Sequence, residues 1–416
     1  MTPRDGAART LMERTPGARM ESAPGSRMGP APHSQMKGTP GFHALPVRRV
    51  ERLTESAVAI TLGVPDALAP TFVHRAGQHI AVRHRLDSTG TGGGEEIRRS
   101  YSICRPPGPA PGPAAPGTRT LRIVVKQLGP GGFGEHAVTR LAAGDILEVG
   151  PPKGSFTLAD RPGAHHVLIG GGSGITPLLS MAAAALDEDP RCKVSLVYAN
   201  RTARSTLLAE EVADLKDRHT GRFFVLHVLS GEERESEVLS GRVDASKLPR
   251  LLAGLGADPG DDRTHFYLCG PWGLVESVEE VLRELGAAPS RVRRELFSTD
   301  PADPADPDRA AREDAAAGGV DGGGGARVTA RLHGRSTEAE MTPQDPSLLA
   351  AVLRHRPETP YSCRDGLCGS CRARVVDGEV VLARRYALTQ EEQDAGYTLP
   401  CQARPASEHV GLDFDA

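Results

Sequence analysis

Pro360-Tyr361-Ser362-Cys363-Arg364-Asp365-Gly366-Leu367-Cys368-Gly369-Ser370-Cys371 carries three cysteines in twelve residues, and a fourth answers far downstream in Leu399-Pro400-Cys401-Gln402. The spacing C-x4-C-x2-C with a distant fourth cysteine is the plant-type pattern in which four thiolates hold a [2Fe–2S] cluster. It has a chemical reason. A small loop rich in Gly and Ser folds over the inorganic sulfides and turns backbone N–H groups toward them, while the remote ligand ties the loop to a domain core. The competing reading is a structural zinc site, since sets of four cysteines also bind zinc. Zinc sites usually come as two paired C-x2-4-C knuckles and Cys401 stands alone, so the spacing favours a cluster held by Cys363, Cys368, Cys371 and Cys401. A one-electron carrier near the C-terminus requires the rest of the chain to supply its electrons.

At 416 residues the chain exceeds one ordinary core, and its length predicts about two to four domains. A formal net charge of −3 with interspersed signs speaks against nucleic-acid binding, and no apolar run approaches the length of a membrane span. Residues 1–41 are rich in Pro, Gly, Ala, Arg and Met, the composition of a disordered leader. This segment lacks the apolar h-region of a signal peptide, and Asp5, Glu13 and Glu21 argue against a transit peptide. With four of seven cysteines assigned to a cluster, Cys104, Cys192 and Cys269 remain, which points to a reducing cytoplasm rather than a disulfide framework.

From Phe42 short β-like runs broken by Gly and Pro predict an antiparallel barrel: Ala57–Leu62, His79–Arg83, Arg99–Ile103, Leu121–Lys126 and Asp145–Val149. The Pro-rich insert 106–116 reads as an exposed loop. Past Pro151 the rhythm changes. Strand-like runs at 165–169, 193–198, 223–228 and 265–269 alternate with helical segments, including one at Leu207–Leu215, and predict a parallel α/β sheet. Residues 298–326 hold Asp-Pro repeats, an Ala-rich charged run and four consecutive glycines, the composition of a flexible linker with a reach of about 30 Å.

Gly170-Gly171-Gly172-Ser173-Gly174-Ile175-Thr176-Pro177 lies between a strand and a helix, where free N–H groups and the positive end of the helix dipole receive phosphate; an empty tight turn is the plainer alternative. It departs from G-x-G-x-x-G, so no standard dinucleotide fingerprint is present. Beyond the next strand, Asn200-Arg201-Thr202-Ala203-Arg204-Ser205 replaces the acidic residue that would bind ribose hydroxyls; Arg201 and Ser205 suit a 2′-phosphate and lean the choice toward NADPH over NADH. In the barrel, Arg99-Ser100-Tyr101-Ser102 offers a phosphate partner, a stacking ring and a hydroxyl, which suit a flavin nucleotide. His165-His166 read as solvated or satisfied rather than as metal ligands, because no third ligand stands at a usable spacing, and the arginines around the cluster, Arg364, Arg372, Arg374, Arg384 and Arg385, read as a solvated face.

The order of Arg99-Ser100-Tyr101-Ser102, the Gly170–Pro177 turn, Leu268-Cys269-Gly270-Pro271, Glu295-Leu296-Phe297 and the cysteine pattern resembles the ferredoxin–NADP reductase superfamily with a fused C-terminal ferredoxin. Within it, Tyr198-Ala199-Asn200-Arg201-Thr202, Ser240-Gly241-Arg242-Val243-Asp244 and Tyr361-Ser362-Cys363 look most like reductases serving phenylacetyl-CoA epoxidases; reductases of steroid and aromatic-ring oxygenases share the architecture. The resemblance covers about Phe42 to Ala416; beside the leader at 1–41 and the linker at 298–326 that composition marks, it implies an antiparallel β-barrel FAD domain at 42–152, an α/β parallel-sheet NAD(P) domain at 153–297, and an α+β, β-grasp-like [2Fe–2S] ferredoxin domain at 327–416. It implies that Arg99, Tyr101 and Ser102 hold FAD, with Lys126 and the turn Gly131-Gly132-Phe133-Gly134 lining the second part of that site and Phe297 closing it. The family usually has Ser where this chain has Gly134, which removes one side-chain bond to the pyrophosphate. Gly172, Ser173, Gly174 and Thr176 would lie by the nicotinamide nucleotide's phosphates, Cys269, Gly270 and Pro271 beside the nicotinamide, and Cys269 and Glu295 at the site of hydride transfer.

The function these features imply is an electron splitter: a hydride passes from NAD(P)H to FAD, and single electrons pass on to the [2Fe–2S] centre and then to an oxygenase component, with a di-iron monooxygenase favoured. The alternatives are a reductase for another class of oxygenase and a non-enzymatic redox sensor or electron-transfer module.

Overall fold

The computed structural model describes residues 41–86, 95–104, 119–129, 132–297 and 325–416. The leader up to residue 40, the Pro-rich insert, Gly131 and residues 298–324 of the expected linker lie outside the described residues.

Six antiparallel strands make the first sheet: β1 (His43–Thr54), β2 (Ala57–Gly63), β3 (His79–Leu86), β4 (Glu95–Ser102), β5 (Thr120–Lys126) and β6 (Ile146–Val149), in the order β4-β3-β6-β1-β2-β5. The two outer strands meet where Ile103 bridges Ile123 and the Cys104 N–H donates to Arg122 O at 2.9 Å, so the sheet closes on itself as the sequence rhythm predicts. Leu45, Ile60, Ile80, Val82, Ile123 and Val149 fill its interior. Strand β1 is absent from the sequence reading. Its second half carries Arg48, Arg49, Glu51 and Arg52, which erase the period-two apolar signal. Pairing with β2 and β6 supplies the ladder that its side chains do not announce.

A second departure is α1 (Gly132–Thr139), which begins inside the segment read as a turn. Two glycines in the first helical turn argue against a helix, at a cost of up to about 1 kcal/mol each. Phe133, Ala137 and Val138 offset it by burying themselves in the barrel core.

The second sheet is wholly parallel: β7 (His165–Gly171), β8 (Lys193–Asn200), β9 (Phe223–Leu229), β10 (Thr264–Gly270) and β11 (Val292–Leu296) in the order β11-β10-β7-β8-β9. Helices α2 (Ile175–Glu188), α3 (Ala209–Arg218), α4 (Leu248–Leu255) and α5 (Trp272–Glu284) connect the strands. The helix read as starting at Leu207 starts at Ala209, because Leu207 and Leu208 are buried ahead of it with Leu208 at φ 54°. From β7 the chain winds outward to β8 and β9, then returns to β10 on the other side. That makes the carboxyl ends of β7 and β10 the switch point where open α/β sheets bind ligands.

The last segment folds as β12 (Arg327–Leu332), β13 (Arg335–Glu340), α6 (Leu348–His355), β14 (Ala373–Asp377), β15 (Val380–Leu382), α7 (Gln390–Asp394), β16 (Tyr397–Thr398), β17 (Ala403–Pro405) and β18 (His409–Asp413). Its main sheet runs β13-β12-β18-β14-β16 with the β12–β18 pair parallel, and Leu348, Ala351 and Val352 of α6 pack on it, the α+β grasp arrangement.

Apolar contacts join the three sheets. Leu178, Met181 and Ala182 of α2 share a core with Ala57, Ala59 and Cys104 of the barrel. Leu367 from the cysteine loop and Tyr386 pack against the cluster that holds Val275, Trp272 and Leu274. The buried Arg98 guanidinium lies over the Phe42 ring at 4.9 Å and the Tyr361 ring at 4.1 Å, which seats the cysteine loop on the barrel.

Candidate redox site

Glycine shapes the switch point. The turn Gly172–Gly174 follows β7 directly, and a Cβ on Gly174 would lie 2.1 Å from Cys269 O, so only glycine lets the turn lie this close to β10. Gly172 sits at φ 55°, and a Cβ there would meet nothing within 4 Å, leaving the outer side of the turn open. Neither α2 nor α5 has a side-chain cap at its N-terminus, so no side chain offsets the positive end of either helix dipole. Thr176 is buried and donates to Ser173 O at 2.9 Å, bracing the turn, while Tyr198 Oη donates to Gly172 O and Leu207 O, both at 3.0 Å. At the tip of β8, the buried Asn200 amide lies beside the Tyr198 hydroxyl, and Arg201 next to it is exposed. A buried amide, an exposed guanidinium and two helix starts without side-chain caps fit an anionic nucleotide. Ser205 fits less directly: its hydroxyl accepts from Thr202 N at 3.1 Å and donates to Thr202 O at 2.9 Å in a capping box.

On the barrel, Arg99 is exposed and Arg98, its neighbour, is buried and ion-paired to Glu96 at 2.8 Å. Tyr101 is half-buried, its ring 5.7 Å from Phe133, and burial pushes its phenol well above the ordinary range. Phe133 itself is 3 % exposed and belongs to the barrel core. It packs against the Tyr101 ring and does not line an open wall. Lys126 is exposed at the end of β5, Gly132 opens α1 at φ 74°, and Phe297, next to the end of β11, keeps 36 % of its surface exposed. An exposed cation, a half-buried tyrosine and an uncovered aromatic fit a flat, phosphate-bearing ring system. Gly134 has a packing reason, because a Cβ there would come within 3.1 Å of Lys126 O and 3.2 Å of Gln127 Cα.

Register brings the expected hydride-transfer residues together: Cys269 lies opposite Glu295, and Gly270 opposite Leu296, across β10 and β11. Gly270 takes φ 149° and Pro271 precedes α5. Cys269 is fully buried. Burial first, and the Glu295 carboxylate second, push its thiol well above the usual range, so it stays a neutral S–H. Glu295 Oε2 accepts from Ser102 Oγ at 3.1 Å, which joins the parallel sheet to the barrel.

The cysteine loop turns through positive φ at Arg364, Gly366 and Gly369. Backbone N–H groups reach the sulfurs, Asp365 N to Cys363 Sγ at 3.4 Å and Ser370 N to Cys368 Sγ at 3.5 Å. The thiols interact two by two. Cys363 is raised first by its hydrogen bond with Cys368, and Cys401 first by its hydrogen bond with Cys371, while Cys368 is lowered chiefly because the Cys363 S–H donates to it. Among the described residues no three His, Cys, Asp or Glu side chains gather as a single metal ion needs. Two thiol pairs instead match two irons that share bridging sulfides, so the donor set fits the cluster.

Two sequence expectations change here. His165 is tied to Ser195 Oγ at 2.8 Å, while His166 is buried and its Nδ1 has no hydrogen-bond partner among the described residues. The arginines read as a solvated face are partly engaged: Arg364 lies over Tyr361 at 4.6 Å, and Arg372 pairs with Glu392 and covers the Tyr397 ring at 4.6 Å.

Comparison with known proteins bears on the same segments. Residues 168–280 match the oxidoreductase NAD-binding domain family, and residues 330–406 match the 2Fe-2S iron-sulfur cluster binding domain family. The chain is 35% identical over 378 residues to a component of 1,2-phenylacetyl-CoA epoxidase from Escherichia coli K12, covering 90% of this chain and 98% of that one. It is 32% identical to the ferredoxin reductase component of 3-ketosteroid-9-alpha-monooxygenase from Rhodococcus rhodochrous, over 89% of this chain and 96% of the relative. Its fold matches phthalate dioxygenase reductase, a modular structure for electron transfer from pyridine nucleotides to [2Fe–2S], with a TM-score of 0.52 and 23% identity over 90% of this chain and 98% of that one. Identity at this level over almost the whole of both chains, with the nucleotide and cluster segments in the same order, means that the chain belongs to the ferredoxin–NADP reductase-type oxygenase reductases with a fused C-terminal [2Fe–2S] domain, the family that includes the 1,2-phenylacetyl-CoA epoxidase component.

Proposed function

We propose that the protein is the reductase component of a multicomponent oxygenase, taking electrons from NAD(P)H and delivering them one at a time to an oxygenase partner. The observation that carries this reading is the convergence of three sites within one unit: the Gly172–Gly174 turn, the Ser102–Glu295 contact beside Tyr101, and the thiol pairs of the cysteine loop. When bound, FAD accepts a hydride at its ring and the iron–sulfur centre accepts single electrons. The chain's own residues do the placing. The turn and the α2 N-terminus hold the nucleotide phosphates, with Arg201 favouring the 2′-phosphate of NADPH. Arg99, Tyr101 and Ser102 hold the flavin, and Phe297 covers it from water. The buried neutral Cys269 thiol presents no charge to the nicotinamide, and Glu295 is fixed by the Ser102 hydroxyl.

The partner we favour is a di-iron monooxygenase acting on phenylacetyl-CoA, since a component of such an epoxidase is 35% identical to this chain. A ketosteroid or other ring oxygenase is the second reading, supported by 32% identity to such a reductase component. We place the protein in the cytoplasm: all seven cysteines are free thiols and no described helix is long and apolar enough to cross a membrane. The test is an anaerobic titration of the purified protein with NADPH and, separately, NADH, followed by mixing the reduced protein with each oxygenase and its substrate. Joint bleaching of flavin and iron–sulfur bands and turnover of phenylacetyl-CoA are expected. A protein that binds no flavin or is not bleached by either nucleotide refutes the reductase reading, and turnover only with a steroid oxygenase reassigns the partner.

A further inference from the structure

His79 stands between the Ser102–Glu295 contact and the cysteine loop. It opens β3 opposite Ser102 in the ladder and is 3 % exposed. Its backbone is pinned by paired hydrogen bonds with Lys153, at 2.9 and 2.8 Å. Gly154, at φ 109°, leaves the ring its space, because a Cβ there would come within 2.9 Å of Nδ1. The two ring nitrogens face different parts of the chain. Nδ1 lies 3.7 Å from Glu295 Oε1, and the other oxygen of that carboxylate accepts from Ser102 Oγ. Nε2 lies 3.3 Å from Ser370 Oγ, and that hydroxyl lies 3.2 Å from Cys368 Sγ. Barrel, parallel sheet and cysteine loop are thus joined by one buried polar line running Ser102, Glu295, His79, Ser370, Cys368.

We propose that His79 is a positioning residue that couples the hydride-transfer end of the flavin site to the cysteine loop, holding Glu295 with one nitrogen and the Ser370 hydroxyl with the other. The inference rests on the reading of the protein as a flavin and iron–sulfur reductase. Ser370 has a single hydroxyl proton to divide between the ring and the Cys368 sulfur, so the position of the ring sets the hydrogen bond at a cluster ligand. Hydrogen bonds to the sulfurs are among the factors that tune an iron–sulfur centre. A ring that merely filled space would be replaceable by phenylalanine, whereas a ring that bridges requires a polar atom at each end.

The amide side chains separate the two ends. His79→Asn places an amide near the position of Nδ1, within reach of Glu295 only, and His79→Gln places one near Nε2, within reach of Ser370 only. These variants, with His79→Phe, Ser370→Ala and the His79→Asn/Ser370→Ala double variant, are made in the full-length holoprotein. Three quantities are read: the EPR spectrum and potential of the reduced cluster, and the single-turnover rates of flavin reduction and of cluster reduction. His79→Asn and His79→Phe are expected to shift the EPR signal, and His79→Asn to slow cluster reduction about tenfold more than it slows flavin reduction, the scale of losing a bond behind a metal ligand. His79→Gln is expected to restore the wild-type EPR signal, and the double variant to be no worse than Ser370→Ala alone. Unchanged EPR spectra in His79→Asn and His79→Phe, or equal slowing of both steps in His79→Asn, would overturn the proposal while leaving the reductase reading intact. Wild-type protein lacking flavin or cluster bands would overturn both.

Discussion

Replacing Gly174 with alanine puts the structural account of the nucleotide site to a quantitative test. The added Cβ would stand 2.1 Å from Cys269 O, 2.5 Å from Cys269 C and 2.8 Å from Gly270 N. All three are backbone atoms of β10, held on both sides by β7 and β11, so no flexible side chain can swing aside. Ordinary contact begins at 3.4 Å, and the turn must therefore move outward by about 1.3 Å from the 2.1 Å contact to relieve the overlap. Overpacking of this kind costs about 1–3 kcal/mol of stability. The functional loss is larger, because a displacement of about 1 Å at a positioned reactant can cost about 100-fold in rate. Stopped-flow reduction of the flavin by NADPH, with thermal melting in parallel, reads both effects. The same turn supplies a comparison: Gly172→Ala meets open space and bears only the cost of a left-handed alanine, about 1 kcal/mol, so its hydride transfer should fall much less. A Gly174→Ala protein that reduces its flavin at the wild-type rate would refute the close approach of turn to β10 or the assignment of the nucleotide to that turn.

Burial first, then His265 and His165, lower His166 from its ordinary 6.5 to about 4, so the folded state resists a proton that the unfolded chain accepts. Stability should therefore fall as pH drops from about 6.5 toward 4, by about 2 kcal/mol between pH 7 and pH 5 at this site; urea melts of His166→Phe should show a flatter acid limb, and an unchanged limb would contradict the assignment. Cys401→Ser should abolish the iron–sulfur absorbance and cytochrome c reduction while NADPH still drives ferricyanide reduction through the flavin; loss of both activities would show that the cluster segment is needed to build the flavin site. Tyr361 lies between the Arg98 and Arg364 guanidinium groups at 4.1 and 4.6 Å. Removing its ring in Tyr361→Ala should loosen the seat of the cysteine loop by about 1–2 kcal/mol, raise protease sensitivity near that loop and slow cluster reduction more than flavin reduction.

Strand β1 and helix α1 show why parts of the fold were not legible. The arginines and glutamate of β1 hide its period, and the ladder is supplied by partners distant in sequence. In α1 intrinsic propensity points to a turn, and burial of Phe133, Ala137 and Val138 overrides it. The carboxyl-terminal cysteines, the glycine turn after β7 and the alternation of strands and helices were legible because each is a short-range pattern whose chemistry is contained in its own spacing.

The amino-acid sequence thus determined the four-cysteine pattern, the glycine-rich strand–turn–helix proposed to receive phosphate, and the order barrel, parallel sheet, ferredoxin, since thiol spacing, glycine placement and hydrophobic period act within a few residues. Only the tertiary structure decided that Ser102 and Glu295, 193 residues apart, share a hydrogen bond, and that His79 and Ser370, 291 apart, join the flavin side to the cysteine loop. Such contacts leave no local signature: each arises where separate sheets pack their apolar faces together, and the polar groups caught between them must find partners or bear the cost of burial.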